Sequence, residues 1–323
     1  MPRTFDLDHL VSAAREGDPR SVGRLITLVE DGSPQLRELM ALLAPTSGSA
    51  HVVGLTGAPG VGKSTSTSAL VHAFRERSRR VGVLAVDPSS PFSGGALLGD
   101  RIRMQEHATD PDVFIRSMAS RGHLGGLASA TPQAIRVLAA SGCDPVLVET
   151  VGVGQSEVEI AGEADTTVIL LAPGMGDGIQ AAKAGILEVG DIFVVNKADR
   201  DGADQTAREL RHMISLGQRA KGEWRPPVLR TVASNGTGIP ELVDALDQHR
   251  EWLEESGAGV ERRARRARSE IEGIALAALQ ARFAAIGRHS GLDALATEVA
   301  EGRLDAFSAA DQLVSAVTAS AAG

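Results

Sequence analysis

The chain has 323 residues, 43% of them hydrophobic, and a formal net charge of −8. That is enough apolar material for a full core, while the acidic balance argues against nucleic acid as the main partner, because phosphate-backbone binding needs a basic face. The single cysteine, Cys143, excludes an internal disulfide framework and any Cys-x-x-Cys metal or redox site, and reads as a small buried hydrophobe.

Met1 to Asp6 lack the apolar core of a signal peptide, and the longest apolar runs, such as Thr166 to Ala172, are too short to cross a bilayer. No membrane partner and a cytoplasmic location are therefore expected. The first fifty residues read as helices: Val22, Leu25, Ile26 and Val29 share one face, and Ser33-Pro34 offers an N-cap and first-turn proline ahead of Leu36, Leu39, Met40 and Leu43. Pro45 to Ser49 looks like a linker. From residue 51 short β-branched runs alternate with helical stretches: Val52 to Leu55, Val81 to Val86, Val113 to Ile115, Val146 to Val148, Thr167 to Leu171, Ile192 to Val195 and Val228 to Val232. This alternation predicts an α/β fold, a mostly parallel sheet with helices on both faces. After Pro240 the chain is rich in Ala, Glu, Arg and Leu, with Leu242, Leu246, Trp252 and Leu253 at helical spacing, a long helix from about Glu261 to Ile286, and shorter ones after Gly291 and Gly302. A long helix leaving a compact domain must bury its apolar side, which points to a partner subunit. The basic run Arg262, Arg263, Arg265, Arg266 and Arg268 reads as a solvated or interfacial helix face, flanked by Glu261 and Glu270. The expected division is an N-terminal helical extension (1–50), a nucleotide-binding domain (51–240) and a C-terminal helical dimerisation region (241–323).

Three segments carry chemistry. Gly57-Ala58-Pro59-Gly60-Val61-Gly62-Lys63-Ser64-Thr65 satisfies G-x-x-x-x-G-K-[ST] between a strand and a helix, the context in which backbone amides close around phosphates, Lys63 reaches the terminal phosphates and the Ser64 hydroxyl ligates Mg²⁺. Pro145 to Gly152 is an apolar strand ending in Glu149, three residues before a glycine; a carboxylate there can hold Mg²⁺ directly or through water. It resembles the D-x-x-G switch of GTPases with Glu in place of Asp. Asn196-Lys197-Ala198-Asp199 follows another strand at the same sheet edge. By resemblance to other GTPases, Asp199 accepts hydrogen bonds from guanine while Asn196 and Lys197 brace the loop and pack on the base; adenine lacks the matching exocyclic donor. Ser234-Asn235-Gly236 is placed to complete the base pocket. Lysine occurs only at positions 63, 183, 197 and 221 in a chain otherwise supplied with arginine. Two of the four fall in nucleotide motifs, where an ammonium cannot be exchanged for a planar guanidinium.

Two further stretches, Val86 to Met104 and Gly176 to Glu188, narrow the field. With them the chain resembles the MeaB family, also called ArgK, whose human counterpart is the methylmalonic aciduria type A protein. The resemblance runs from the N-terminal helices into the C-terminal tail, and loosens at Asp305-Ala306-Phe307, where the family is expected to place Asp-Pro-Tyr. It implies a GTP-binding and GTP-hydrolysing chaperone that gates adenosylcobalamin loading and protects or reactivates methylmalonyl-CoA mutase or a related acyl-CoA mutase. It also implies a homodimer made through the C-terminal helices. Carried over by motif, Asp87, Asp100 and Glu149 surround Mg²⁺ with Ser64; Lys63, Asp87 and Glu149 form the catalytic set; and Gln180, Lys183 and Glu188 belong to a switch that senses the mutase. Val153 stands where small GTPases carry a water-orienting glutamine, so slow intrinsic hydrolysis, stimulated by a partner, is expected. No Asp-x-His-x-x-Gly signature occurs and the eight histidines show no metal-ligand spacing, so cobalamin is expected on the partner. Competing readings are a metallochaperone GTPase, which needs a cysteine or histidine cluster, a kinase linked to arginine or ornithine transport, and a scaffold in which nucleotide is only structural.

Overall fold

In the computed structural model, which describes residues 4–46, 48–88, 107, 109–120, 130–150, 156–174, 187–217, 222–287 and 291–319, the β-branched runs become seven strands. These are β1 (Val52–Thr56), β2 (Val81–Pro88), β3 (Val113–Ser120), β4 (Val146–Thr150), β5 (Thr166–Leu171), β6 (Ile192–Val195) and β7 (Val228–Arg230). They form one sheet in the order β3-β2-β4-β1-β5-β6-β7, and every neighbouring pair is parallel. Strands β1, β5 and β6 are buried along their whole length, as the continuous apolar runs of a sheet covered on both faces require. The seventh strand is shorter than its apolar run: Thr231 still donates to the Val195 carbonyl at 3.0 Å, but Val232 turns away to bridge Thr237.

The N-terminal helices α1 (Leu7–Arg15), α2 (Pro19–Glu30) and α3 (Leu36–Leu43) share one core with the sheet, in which Leu25, Leu39 and Leu43 meet Leu84, Val86 and Val148. Helices α5 (Thr131–Ala140) and α6 (Ser156–Glu163) complete that face. On the other face α4 (Lys63–Glu76) and α9 (Ile239–Glu255) bring Leu70, Phe74, Leu242 and Leu246 onto Val53, Val83 and Val194. Each such large side chain contributes about 1.5–3 kcal/mol of burial. A third cluster packs Ala207 and Leu210 of α8 (Ala203–Leu216) on Ile169 and Phe193. The start of α3 departs from expectation. Ser33 does not cap it; its hydroxyl accepts from Gln35 N at 3.2 Å in a turn, and the Gln35 carboxamide is drawn instead to Phe5, pairing with its N–H and carbonyl at 2.9 Å each.

The chain divides into two compact units, Met1–Arg263 and Ala264–Gly323. The second holds most of α10 (Ala258–Gly287) together with α11 (Leu292–Ala300) and α12 (Ala306–Ala319). Within it, Ile271, Ile274, Leu276, Leu279, Leu292 and Phe307 are exposed.

The strand starts, at the sheet edge away from the loops that carry the motifs, are sealed by a buried polar chain. His51 Nε2 lies 2.7 Å from Thr166 Oγ1, which lies 2.7 Å from His249 Nδ1. Beside them the Asp191 carboxylate accepts from Thr167 N at 2.9 Å and from both terminal nitrogens of Arg262 at 2.8 Å. Arg262 thus stands apart from the rest of the basic run, of which Arg263, Arg265 and Arg268 are exposed. Burial pushes both histidines from 6.5 down to about 4, against the pull of Asp165 on His51 and of Asp191 on His249. Arg250 and Arg262 add to the depression. The folded protein therefore holds both rings neutral, while the unfolded chain takes up protons below about pH 6.5. Their contribution is complete above that pH and is lost as the pH falls toward 4, by up to about 1.4 kcal/mol per histidine per pH unit. Urea unfolding followed from pH 7 to pH 5 is expected to show this decline, with a shallower slope in His51→Gln; a flat profile over that range would contradict the assignment.

Candidate active site

The phosphate-loop motif spans the turn from β1 into α4. Gly62 caps the helix in the left-handed region, at φ 96° and ψ 34°, and a Cβ added there would lie 2.5 Å from Asn196 Nδ2. At Gly57 the constraint is sharper: φ is +147°, and a Cβ would meet the Leu170 carbonyl oxygen at 2.2 Å. The loop can therefore press its backbone against β5 and the loop after β6 only with glycine at both points. Lys63, 8% exposed, folds back so that Nζ donates to Gly57 O at 2.7 Å and Ala58 O at 3.3 Å. The ammonium is held over the loop at the amino end of a 14-residue helix, where free N–H groups and the helix dipole favour an anion.

Glu149 sits in β4 in register with Leu55 of β1 and Ala85 of β2. It is only 1% exposed. Ser64 Oγ donates to its Oε1 at 2.6 Å and Thr67 Oγ1 to its Oε2 at 2.8 Å. This set of hard oxygens, hydroxyl and carboxylate at the mouth of a phosphate loop, suits Mg²⁺, which takes few protein ligands and completes its shell with water and phosphate oxygens. Among the described residues no group of three His, Cys, Asp or Glu side chains is arranged to hold a metal by itself. Asp87 lies near the end of β2, its backbone in register with Ala119. Asp100, Gln180 and Lys183 lie outside the described residues; Glu188 is exposed in the three-residue helix α7 (Leu187–Val189).

The third motif meets the first directly. Asn196, 2% exposed, donates through Nδ2 to Val61 O at 2.9 Å and accepts at Oδ1 from Thr231 Oγ1 and Ala233 N, both at 3.1 Å. Lys197 adopts φ 56° and reaches Gly60 O with Nζ at 2.6 Å. Asp199 is exposed beyond it. Ser234, Asn235 and Gly236 are exposed as well, and with Thr65, Ser68 and Ala69 of α4 they line a cavity of about 800 Å³. That volume falls within the range of small-ligand pockets. Two further contributors to the site also stand outside the motifs. Thr67 is one, and its spacing of three from Ser64 places it on the same helix face. The other is His107, at the cavity wall, with Nε2 3.0 Å from Ser68 Oγ; nothing local in the sequence marks it. Cys143 is buried far from any such chemistry, its thiol pushed up to about 12 by burial.

Residues 22–287 match the family described as methylmalonyl Co-A mutase-associated GTPase MeaB. A protein of Pyrococcus abyssi bearing a GTPase name is 49% identical over 95% of this chain and 96% of its own length. GTPase ArgK of Escherichia coli is 38% identical over 75% of this chain and 76% of its own. The methylmalonic aciduria type A homolog of Mus musculus is 37% identical over 78% of this chain and 65% of its own. The crystal structure of a LAO/AO transport system kinase superposes with a TM-score of 0.70 at 27% identity, covering 98% of this chain and 99% of that one.

Because Asn196 bonds to both the phosphate loop and the 231–233 segment, its truncation leaves buried partners unpaired. Asn196→Ala is expected to lower stability by about 1–3 kcal/mol and to weaken nucleotide binding, read by chemical unfolding and by titration with a fluorescent nucleotide. Unchanged values in both would contradict the bracing role.

Proposed function

The chain belongs to the MeaB family of P-loop GTPases, and from that premise we propose that its hydrolysis of GTP to GDP and phosphate serves an adenosylcobalamin-dependent acyl-CoA mutase, gating cofactor loading and protecting or reactivating that client. The observation that carries the reading is the family match over residues 22–287, which contains all three nucleotide motifs. The mouse relative's name supports the same kind of client.

In this reading the amides of Gly57 to Thr65 take the phosphates, and Lys63 leaves the Gly57 and Ala58 carbonyls for the terminal phosphate oxygens. Ser64, Asp87, Asp100 and Glu149 would hold Mg²⁺, which would supply charge neutralisation of the phosphates. Asp199 reads guanine in the cavity walled by Ser234, Asn235 and Gly236, with Asn196 and Lys197 as braces. Gln180, Lys183 and Glu188 belong to the segment that senses the client. Cobalamin stays on the client. The functional division at residues 50 and 240 crosses the first compact unit, Met1–Arg263, in which α1–α3 and α9 pack on the sheet, and a homodimer forms through the C-terminal region, supported by exposed Ile271, Ile274, Leu279 and Phe307. Large apolar side chains left exposed on the helices of one unit suit a second copy. The protein works in the cytoplasm; in the described residues no helix is long and apolar enough to cross a membrane.

Turnover of the isolated protein is expected to be slow, since hydrolysis in such GTPases depends on a positioned water and a partner often completes that arrangement. The test is GTP hydrolysis with and without the organism's own methylmalonyl-CoA mutase, repeated with Lys183→Ala. The expected result is stimulation by the mutase that the substitution abolishes. Fast turnover alone, or no stimulation and no co-elution, would overturn the proposed role.

A further inference from the structure

Thr67 has no part in the motifs, yet it touches the carboxylate on which the metal site depends. It lies in the second turn of α4, 0% exposed, three residues after Ser64. The two hydroxyls grip opposite oxygens of Glu149: Ser64 Oγ donates to Oε1 at 2.6 Å and Thr67 Oγ1 to Oε2 at 2.8 Å. The Thr67 hydroxyl also lies 3.1 Å from the Lys63 carbonyl, the ordinary back-bond of a helical threonine. A hydroxyl has one proton to give, and the shorter of its two contacts, 2.8 Å against 3.1 Å, is the one to Glu149 Oε2.

The length of the side chain explains why a second donor matters. Glutamate carries one more rotatable bond than aspartate between backbone and carboxylate, so its carboxylate has more orientations open to it and a second hydroxyl donor narrows them. A carboxylate 1% exposed also requires hydrogen bonds to offset its desolvation. Helix α4 meets both needs through a single face, because residues three apart project together.

We propose that Thr67 is a positioning residue for Glu149: by holding Oε2 it fixes the carboxylate plane, so that Oε1 stays with Ser64 at the metal end of the phosphate loop. The inference rests on the metal role given above to Ser64 and Glu149. Outer-shell partners of this kind are worth about 10–100-fold in metal affinity or activity.

The experiment uses the full chain and a fluorescent GDP analogue, whose dissociation rate is measured across a Mg²⁺ titration. Thr67→Val keeps the volume and removes the hydroxyl; Thr67→Ser keeps the hydroxyl. Thr67→Val is expected to raise the Mg²⁺ concentration needed for half-maximal slowing of dissociation by about tenfold, while affinity in EDTA stays within about twofold and Thr67→Ser restores the midpoint. An unmoved midpoint in Thr67→Val, or equal loss with and without Mg²⁺, would overturn the proposal and leave Thr67 a packing residue. Glu149→Gln and Ser64→Ala separate the two levels. If they shift the midpoint and Thr67→Val does not, only the positioning role fails; if none of the three shifts it, the metal-site reading fails with it.

Discussion

The buried carboxamide of Asn196 bonds at once to the phosphate loop through Val61 O and to the segment after β7 through Thr231 Oγ1 and Ala233 N. Both loops leave the carboxyl edge of a parallel sheet, where ligands bind in open α/β folds. Without that group they would lose the side-chain hydrogen bonds that span them directly. Their separation is fixed further by contact: Gly62 leaves no room for a Cβ beside Asn196, and Lys197 closes on Gly60 O. The geometry of the cavity beyond them follows from this brace, since Thr65 on one wall and Ser234 on the other belong to the two segments it joins.

A second fixed point lies at the opposite edge. Thr166 links His51 to His249 at the start of β5, and Asp191, just before β6, is clamped by Arg262 at the start of α10. Strand β6 therefore runs only from Ile192 to Val195 between the Asp191 clamp and the Asn196 brace. The two tryptophans also gather here, with Trp224 4.6 Å and Trp252 5.6 Å from the His249 ring. A buried carboxylate bound to a bidentate guanidinium and a backbone N–H is the form in which charge is tolerated inside a protein.

Much of this is legible in the sequence, for physical reasons. Strands buried on both faces must be continuously apolar, so Val52 to Leu55 and Ile192 to Val195 announce themselves. The phosphate loop does so as well, because Gly57 and Gly62 are demanded by contacts that no other residue permits. What periodicity cannot reveal is pairing across sequence. Arg262 reads as one arginine among five, and only the fold brings it to Asp191. Thr67 looks like a neutral helical residue until Glu149 is placed against it. No side chain caps α3 as local capping rules expect of Ser33, and the Gln35 carboxamide at the cap position pairs with the Phe5 backbone instead.

If Asp199 reads the base as proposed, the braced loops form one site selective for guanine nucleotide. Calorimetric titration of the full chain with GDP and with ADP, both with Mg²⁺, tests it most directly. A site whose Asp199 carboxylate hydrogen-bonds a feature of guanine that adenine lacks should favour GDP by at least about a hundredfold, since that carboxylate would go unpaired against the wrong base. Equal affinities for the two nucleotides would contradict the account.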